Sequence, residues 1–380
     1  MKITLSHEKL SKMLMYTSRA VSTKPNIPIL SNVKMEVNKS NLNLSATNLD
    51  MGINLWIPGV VESEGSLTVS AKFIADFVAA SAAEKVELEL KDNVLTVETE
   101  KSKANFNIIP ADEYPIMPVI PEKSWFRIDK NELIKTLDKV LFACSTELTP
   151  GKVHMSGVLM EVEGDEIGFV GLDGFRLSKR LVKAIEISPL ENVPQVIVPA
   201  KYLSELAKIA SDASDVEEVV VYLSDNRSQI IFKLEEIEFS VRLLEGLYSD
   251  YKKIMPDTSS FTFEFKRVDM ENAIKVVSTF ARSNLNYKTL VDFDIENKSF
   301  KMKSSVTDVG DNETEVELIN IDAQTDLNVA YNLKYLQDIV NHTKGDTIKL
   351  ESKGALTANV FKDSSDEKFI HILMPLRRDA

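Results

Sequence analysis

Val69-Ser-Ala-Lys-Phe-Ile-Ala-Asp-Phe-Val78 has two counterparts further along the chain, Val198-Pro-Ala-Lys-Tyr-Leu-Ser-Glu-Leu-Ala207 and Tyr331-Asn-Leu-Lys-Tyr-Leu-Gln-Asp-Ile-Val340. Each reads lysine, two apolar residues, two others, two apolar residues. The lysines, Lys72, Lys201 and Lys334, are 129 and 133 residues apart. The apolar pairs fall four residues apart (Phe73/Ile74 with Phe77/Val78, Tyr202/Leu203 with Leu206/Ala207, Tyr335/Leu336 with Ile339/Val340), the spacing of one helical face. Ser70, Pro199 and Asn332 supply start signals for the three helices.

A second recurrence opens each third of the chain. Short alternating strands at Ile3-Thr-Leu5, Phe126-Arg-Ile128 and Phe263-Glu-Phe265 run into amphipathic helices. These carry Leu10/Met13/Leu14, Leu133/Leu137/Val140 and Met270/Ala273/Ile274/Val277, offset by 123 and then 137 residues. Period-2 runs such as Leu42–Ala46 and Ile167–Gly171 separate the two helices of a third, and Val86–Leu90, Val219–Leu223 and Ile348–Ser352 follow the second. Each third is therefore expected to hold two helices and about eight strands, an α+β unit repeated three times. Pro-marked breaks at Tyr114–Pro118 with Pro121, and at Tyr251–Pro256, place the boundaries near 120 and 257, giving domains 1–120, 121–257 and 258–380.

Composition fits this plan. The 380 residues are 44% hydrophobic and 27% charged, enough for two or three domains with packed cores and too balanced for a disordered chain. One cysteine, Cys144, excludes a disulfide framework and suits a reducing cytoplasm. Met1-Lys-Ile-Thr-Leu-Ser-His7 runs into charged residues with no apolar core of a signal peptide, and Phe73–Ala83 is too short to span a bilayer. The expectation is a cytoplasmic chain with no membrane contact.

The net charge of −13 argues against nucleic acid only if it is evenly spread. Taking the helices as 7–20, 70–81, 130–143, 199–210, 266–282 and 332–344 gives them +7 together, which leaves −20 for strands and loops. Lys72, Lys201 and Lys334 sit in first turns, where a cation opposes the helix dipole. A phosphate contact on a shared helical face accounts for them, and so does a snorkelling surface lysine.

Catalytic and metal motifs are missing. His7, His154, His342 and His371 are scattered without ligand spacing. Gly151-Lys152 lacks the earlier glycine and the following Ser/Thr of a phosphate loop, and reads as a turn. Asp308, Asp311, Glu313 and Glu315 lack calcium-loop spacing and read as a solvated hairpin tip. Asp173-Gly174 is a tight turn. No catalytic residue, metal site or cofactor is expected.

Further stretches, spread through all three thirds, carry a resemblance: Lys24–Ser31, Ala46–Asp50, Leu172-Asp-Gly-Phe-Arg-Leu177, Arg242-Leu-Leu-Glu-Gly246 with Asp250-Tyr251, and Ile372-Leu-Met-Pro-Leu-Arg377. With the repeated helices, they make the chain resemble the β sliding clamps, the processivity subunits of the bacterial replicative DNA polymerase. The resemblance implies the DNA-clamp fold: a head-to-tail homodimer of three-domain subunits, closed into a ring with helices facing the hole and sheets outside. It implies duplex DNA held without sequence preference, and replicative polymerase, clamp loader and repair proteins bound through short peptides. Lys24, Lys72, Lys201 and Lys334, with Lys152 and His154 on a nearby loop, become the candidates for DNA contact. The partner-peptide pocket carries over to Met155, Leu172, Gly174, Phe175, Arg176, Leu177 and Ile254, together with Tyr287, Asn332, Tyr335, Met374, Pro375, Leu376 and Arg377. An arginine at its rim suits a site that buries a Leu or Phe anchor. Leu172, Phe175 and Ser249 depart from the family's usual Thr, His and Pro. For the subunit interface the candidates are Phe106 and Ile108 on an edge strand, against Phe280 and Ala281. The rival reading is a cytoplasmic peptide-binding scaffold of the same fold that does not encircle DNA.

Overall fold

The computed structural model describes all residues except 23–26, 148, 192, 194, 284–286 and 379–380. Among the described residues there are six α-helices: α1 (His7–Ser18), α2 (Ala71–Ala80), α3 (Lys130–Val140), α4 (Ala200–Asp212), α5 (Arg267–Ala281) and α6 (Leu333–His342). All six fall where the periodicity puts them, and every strand expected from alternation is present. Capping explains several of the starts. Ser6 accepts the Lys9 N–H, Asp129 the Glu132 N–H at 2.9 Å, and Asn332 the Lys334 N–H at 2.9 Å.

Two compact units share the chain. The first comprises Met1–Ile134, Ala184–Pro194 and Lys201–Leu243, and the second Lys135–Lys183, Gln195–Ala200 and Leu244–Ala380. The first unit holds a five-stranded sheet, in the order Val60–Ser63, Lys2–Ser6, Lys85–Lys91, Val94–Glu98, Lys103–Asn107. It also holds a nine-stranded sheet that joins two repeats, because Ile237–Arg242 pairs antiparallel with Met51–Pro58, Ile237 opposite Leu55 and Val241 opposite Met51. The second unit repeats that seam in a twelve-stranded sheet, where Asp366–Leu373 pairs with Arg176–Lys183, Phe369 opposite Arg180 and Leu373 opposite Arg176. Strands such as Glu218–Leu223 bury alternate residues, the pattern of a sheet with one face on a core.

The helices close those cores. In the second unit Met270, Ala273, Ile274 and Val277 of α5 pack on Phe263, Phe265, Phe293 and Phe300, and the rings of Phe263 and Phe293 stack 4.2 Å apart. The apolar pairs of the repeated helix segment are not equivalent, however. Ile74 and Val78 are buried but Phe73 is 67% exposed, because the wider side of the α2 stripe turns past the core.

The observed helix bounds also shrink the positive helical charge. Arg19, Lys266, Arg282 and Lys344 lie just outside the helices and Asp212 just inside, so the sum falls from +7 to +2. The helices are close to neutral along their lengths, and the cations gather at their ends.

Candidate functional site

The helix lysines are exposed, but two of the three are placed by aromatic rings. Lys201 Nζ stands 4.3 Å from the centroid of Tyr202, whose hydroxyl donates to Asp50 Oδ2 at 3.1 Å. Lys334 Nζ stands 3.8 Å from the centroid of Tyr287. A cation over a ring face gains about 0.5–1 kcal/mol at an exposed site, comparable to the dipole cost of a first-turn lysine. The rings thus supply a local reason for Lys201 and Lys334 and hold their ammonium groups at the surface. Lys72 is exposed at the start of α2. Lys152 is exposed on a turn, and His154 follows it with Nε2 3.4 Å from Ser249 Oγ. Lys72 and Lys201 belong to the first unit, and Lys152, His154 and Lys334 to the second. Lys24 lies outside the described residues.

A second group converges at the seam of the twelve-stranded sheet. The hairpin between Glu166–Leu172 and Arg176–Lys183 turns on Asp173, whose Oδ1 accepts the N–H groups of Phe175 at 2.8 Å and Arg176 at 3.0 Å. Gly174 takes φ +94°, a conformation that costs glycine little. Leu172 and Leu177 face each other across the hairpin and are almost wholly buried, packed with Leu159, Tyr248, Tyr251 and Ile372. Met155 is half-buried against the same cluster.

The C-terminal segment docks beside this hairpin through its backbone. Met374 N–H donates to the Phe175 carbonyl at 2.9 Å and Leu376 N–H to the Ala330 carbonyl at 2.7 Å. This leaves Phe175 60%, Ile254 43% and Met374 37% exposed, large apolar groups with surface still open to solvent. Pro375, Leu376, Tyr335 and Tyr287 are half-buried, and Asn332 serves as the cap of α6.

The two candidate arginines of the pocket differ. Arg176 is no free rim cation: its Nε pairs with Asp173 at 3.0 Å, its Nη1 with Asp338, and its guanidinium lies 4.3 Å from the Tyr335 centroid and 5.5 Å from that of Phe142. It is a strut between the hairpin and α6. The exposed arginine of the segment is Arg377.

The edge candidates divide similarly. Lys103–Asn107 is an edge strand of the five-stranded sheet, and half-buried Phe106 meets Phe77 edge to face at 6.0 Å. Ile108 lies just past the strand and is half-buried. Phe280 is half-buried on α5, but Ala281 is fully buried with Met270 and Val277 in the core of its own unit, so its side chain has no surface to offer a second subunit.

Sequence reasoning did not find the ion pairs inside the second seam. Lys139 Nζ lies 2.6 Å from Asp363 Oδ2, both fully buried, and Asp366 Oδ2 receives Arg180 Nε at 2.8 Å and Lys135 Nζ at 3.3 Å. The acidic run at 308–315 is a hairpin, as expected, with Glu313 paired to Lys301 and Lys303. Cys144 is buried, and burial pushes its thiol up to about 12. Among the described residues no cluster of three metal-binding side chains occurs, and no helix is long and apolar enough to cross a membrane.

Comparison with known proteins covers the whole chain. Models of the DNA polymerase III beta subunit match in order: its N-terminal domain over residues 1–118, its central domain over 127–250 and its C-terminal domain over 252–377. The beta sliding clamp of Bacillus subtilis is 27% identical over 386 residues, spanning 99% of this chain and 100% of that protein. A crystal structure of the DNA polymerase sliding clamp from Bacillus subtilis superposes with a TM-score of 0.91 at 25% identity, covering 99% of both chains. A Pseudomonas aeruginosa sliding clamp bound to griselimycin shares the fold at TM-score 0.90 and 22% identity, again over 99% of both chains.

Proposed function

The chain belongs to the DNA polymerase III beta subunit family and is a DNA polymerase processivity factor, and from that premise we propose how it works and which residues it uses. The reading is a homodimeric ring of six similar domains, divided in each subunit at about 120 and 257, that encircles duplex DNA in the cytoplasm. The observation that carries it is the likeness to sliding clamps along the full chain rather than over one domain. Retention is topological. The ring makes and breaks no bond, so it needs no catalytic group, and weak attraction to phosphate suffices because affinity does not hold it in place.

Lys72, Lys201 and Lys334 are the proposed phosphate contacts, joined by Lys24, Lys152 and His154. The ring-held ammonium groups of Lys201 and Lys334 support this, since they cannot fold away from the surface at no cost. Exchanging both for glutamate should lower the slope of log affinity against log salt by about 0.9 per lost contact. Loading onto nicked circular duplex, followed by gel filtration over a range of salt, measures this. An unchanged slope with an intact ring would remove both lysines from the interface.

Polymerase, clamp loader and repair proteins are proposed to place an apolar anchor against Phe175, Ile254 and Met374, over the wall made by Leu172 and Leu177. The edge strand carrying Phe106, with Ile108 after it, is proposed to meet Phe280 of a second copy, which relieves the liability of an open edge. Negative-stain class averages test the architecture. Closed rings of six lobes around a duplex-sized hole are expected, whereas solid particles or three-lobed crescents would favour the non-encircling scaffold.

A further inference from the structure

The segment that carries Met374 is tied at its far end by a contact outside the surface assigned to partners. Its first two ties are the backbone bonds of Met374 to the Phe175 carbonyl and of Leu376 to the Ala330 carbonyl. Leu376 and Ala330 form an isolated antiparallel bridge, and Ala330 belongs to Leu327–Asn332, the edge strand of the twelve-stranded sheet. Arg378 then reaches past that edge to the next strand inward, Lys288–Asp294. Its Nη1 lies 2.5 Å from Asp292 Oδ1, and its carbonyl accepts from Lys288 Nζ. Lys288 and Asp292 are four residues apart and share one face of their strand, so Arg378 is clasped through both its backbone and its side chain.

The last residues of a chain fray unless they are tied down. Two backbone bonds without a continuous ladder around them hold a terminus weakly, and the grip on a second strand is what Arg378 adds. Both side chains of the ion pair are partly buried, and Lys303, the other cation at Asp292, stands further off, 3.7 Å from Oδ2. Arg378 lies one residue past 377, where the match to the family's C-terminal domain ends, so the family pattern does not supply this contact.

We propose that Arg378 is a positioning residue for the partner-peptide site: by clasping Asp292 and Lys288, it holds Met374 exposed beside Phe175 before a partner arrives. The inference rests on the reading of Phe175, Ile254 and Met374 as anchors. A peptide that met a loose tail would have to order it on binding, at a cost of about two- to tenfold in affinity per immobilised side chain. A clasped tail is ordered in advance. Arg378 thus acts through the segment rather than by touching the partner.

Two measurements on the full-length protein test this: fluorescence polarisation with a fluorescein-labelled peptide ending in Leu-Phe, and hydrogen–deuterium exchange of the segment Met374–Arg377. Arg378→Gln should weaken the peptide about three- to tenfold and speed exchange at Met374 and Leu376 several-fold, with an unchanged thermal melt. Asp292→Asn should do the same, and the double variant should be no worse than either single one, because both break one contact. Lys303→Gln removes the other cation at Asp292 and leaves the clasp, so it should move neither readout. Wild-type affinity in Arg378→Gln, with or without faster exchange, would overturn the proposal, as would additive losses in the double variant or an equal loss in Lys303→Gln. The Met374–Arg377 deletion separates the two possible failures. If only the clasp is wrong, the deletion loses the peptide while Arg378→Gln keeps it; if the anchors are wrong, both bind as the wild type does.

Discussion

Replacing Asp363 with alanine should lower the stability of the chain by about 3–5 kcal/mol, the cost of leaving a buried charge without its partner. The Lys139 ammonium would remain fully buried beside the face of Phe369, 4.6 Å from its centroid, with no carboxylate to meet it. The loss would extend to the backbone, because Asp363 also accepts the N–H groups of Lys344, Gly345 and Ser365 at 2.9–3.0 Å. Burial by itself would raise the Asp363 carboxyl. The Lys139 ammonium and the surrounding N–H donors outweigh it and hold the group well below the usual carboxylate range. The sign for acid follows from that direction. A depressed folded-state pKa contributes stability that is fully present above about pH 4, the unfolded value, and is lost as pH falls towards the folded one. Urea unfolding at neutral and acid pH measures both effects. The double change Lys139→Met with Asp363→Asn removes the stranded ammonium and keeps the Oδ1 acceptor for Gly345 and Ser365. It should recover more than half of the loss, and a double variant as unstable as Asp363→Ala would refute the account based on a stranded charge.

That pair also shows where the sequence stops being legible. The helices and strands were readable because their signals are local: four-residue spacing in α6, alternation in Glu218–Leu223, and a cap within two residues at Asn332. Lys139 and Asp363 are 224 residues apart, and neither has a neighbour in sequence that announces the other. The same limit governs Arg176, whose partner Asp338 is 162 residues away. Its side chain turned inward for a reason that only the tertiary arrangement supplies. For Ala281, periodicity fixes the helix but does not say which edge of the stripe meets the core. The first-turn lysines illustrate a further gap. Their conflict with the helix dipole was apparent, but the ring of Tyr287 that meets Lys334 comes from another segment of the chain. Repetition was the strongest long-range signal.

Removing Met374–Arg377 should reduce binding of a labelled peptide ending in Leu-Phe by about 100-fold or more, the scale expected when several central anchors of a small interface are lost together. Two backbone hydrogen bonds, Met374 to Phe175 and Leu376 to Ala330, tie this segment to the hairpin and to the strand Leu327–Asn332. The deletion therefore takes away exposed Met374 and also frees the tip that carries Phe175. Single changes separate the two contributions. Phe175 is 60% exposed and supports little of the core, so Phe175→Ala should leave the melting temperature unchanged while weakening the peptide by about 1–2 kcal/mol, the loss of an aromatic anchor. Leu177 is 3% exposed inside the cluster of Leu159, Leu172 and Ile372, so Leu177→Ala should cost about 2–5 kcal/mol of stability and weaken binding through the collapse of the wall. Arg176→Ala belongs with Leu177, because its guanidinium braces Tyr335 and Asp338 rather than facing solvent. Titration by fluorescence polarisation, with a thermal melt of each variant, resolves these cases. Equal peptide affinity for the wild type and the Met374–Arg377 deletion would move the partner site away from this surface. A Phe175→Ala variant that lost stability but not affinity would make Phe175 a packing residue and leave Met374 and Ile254 as the anchors.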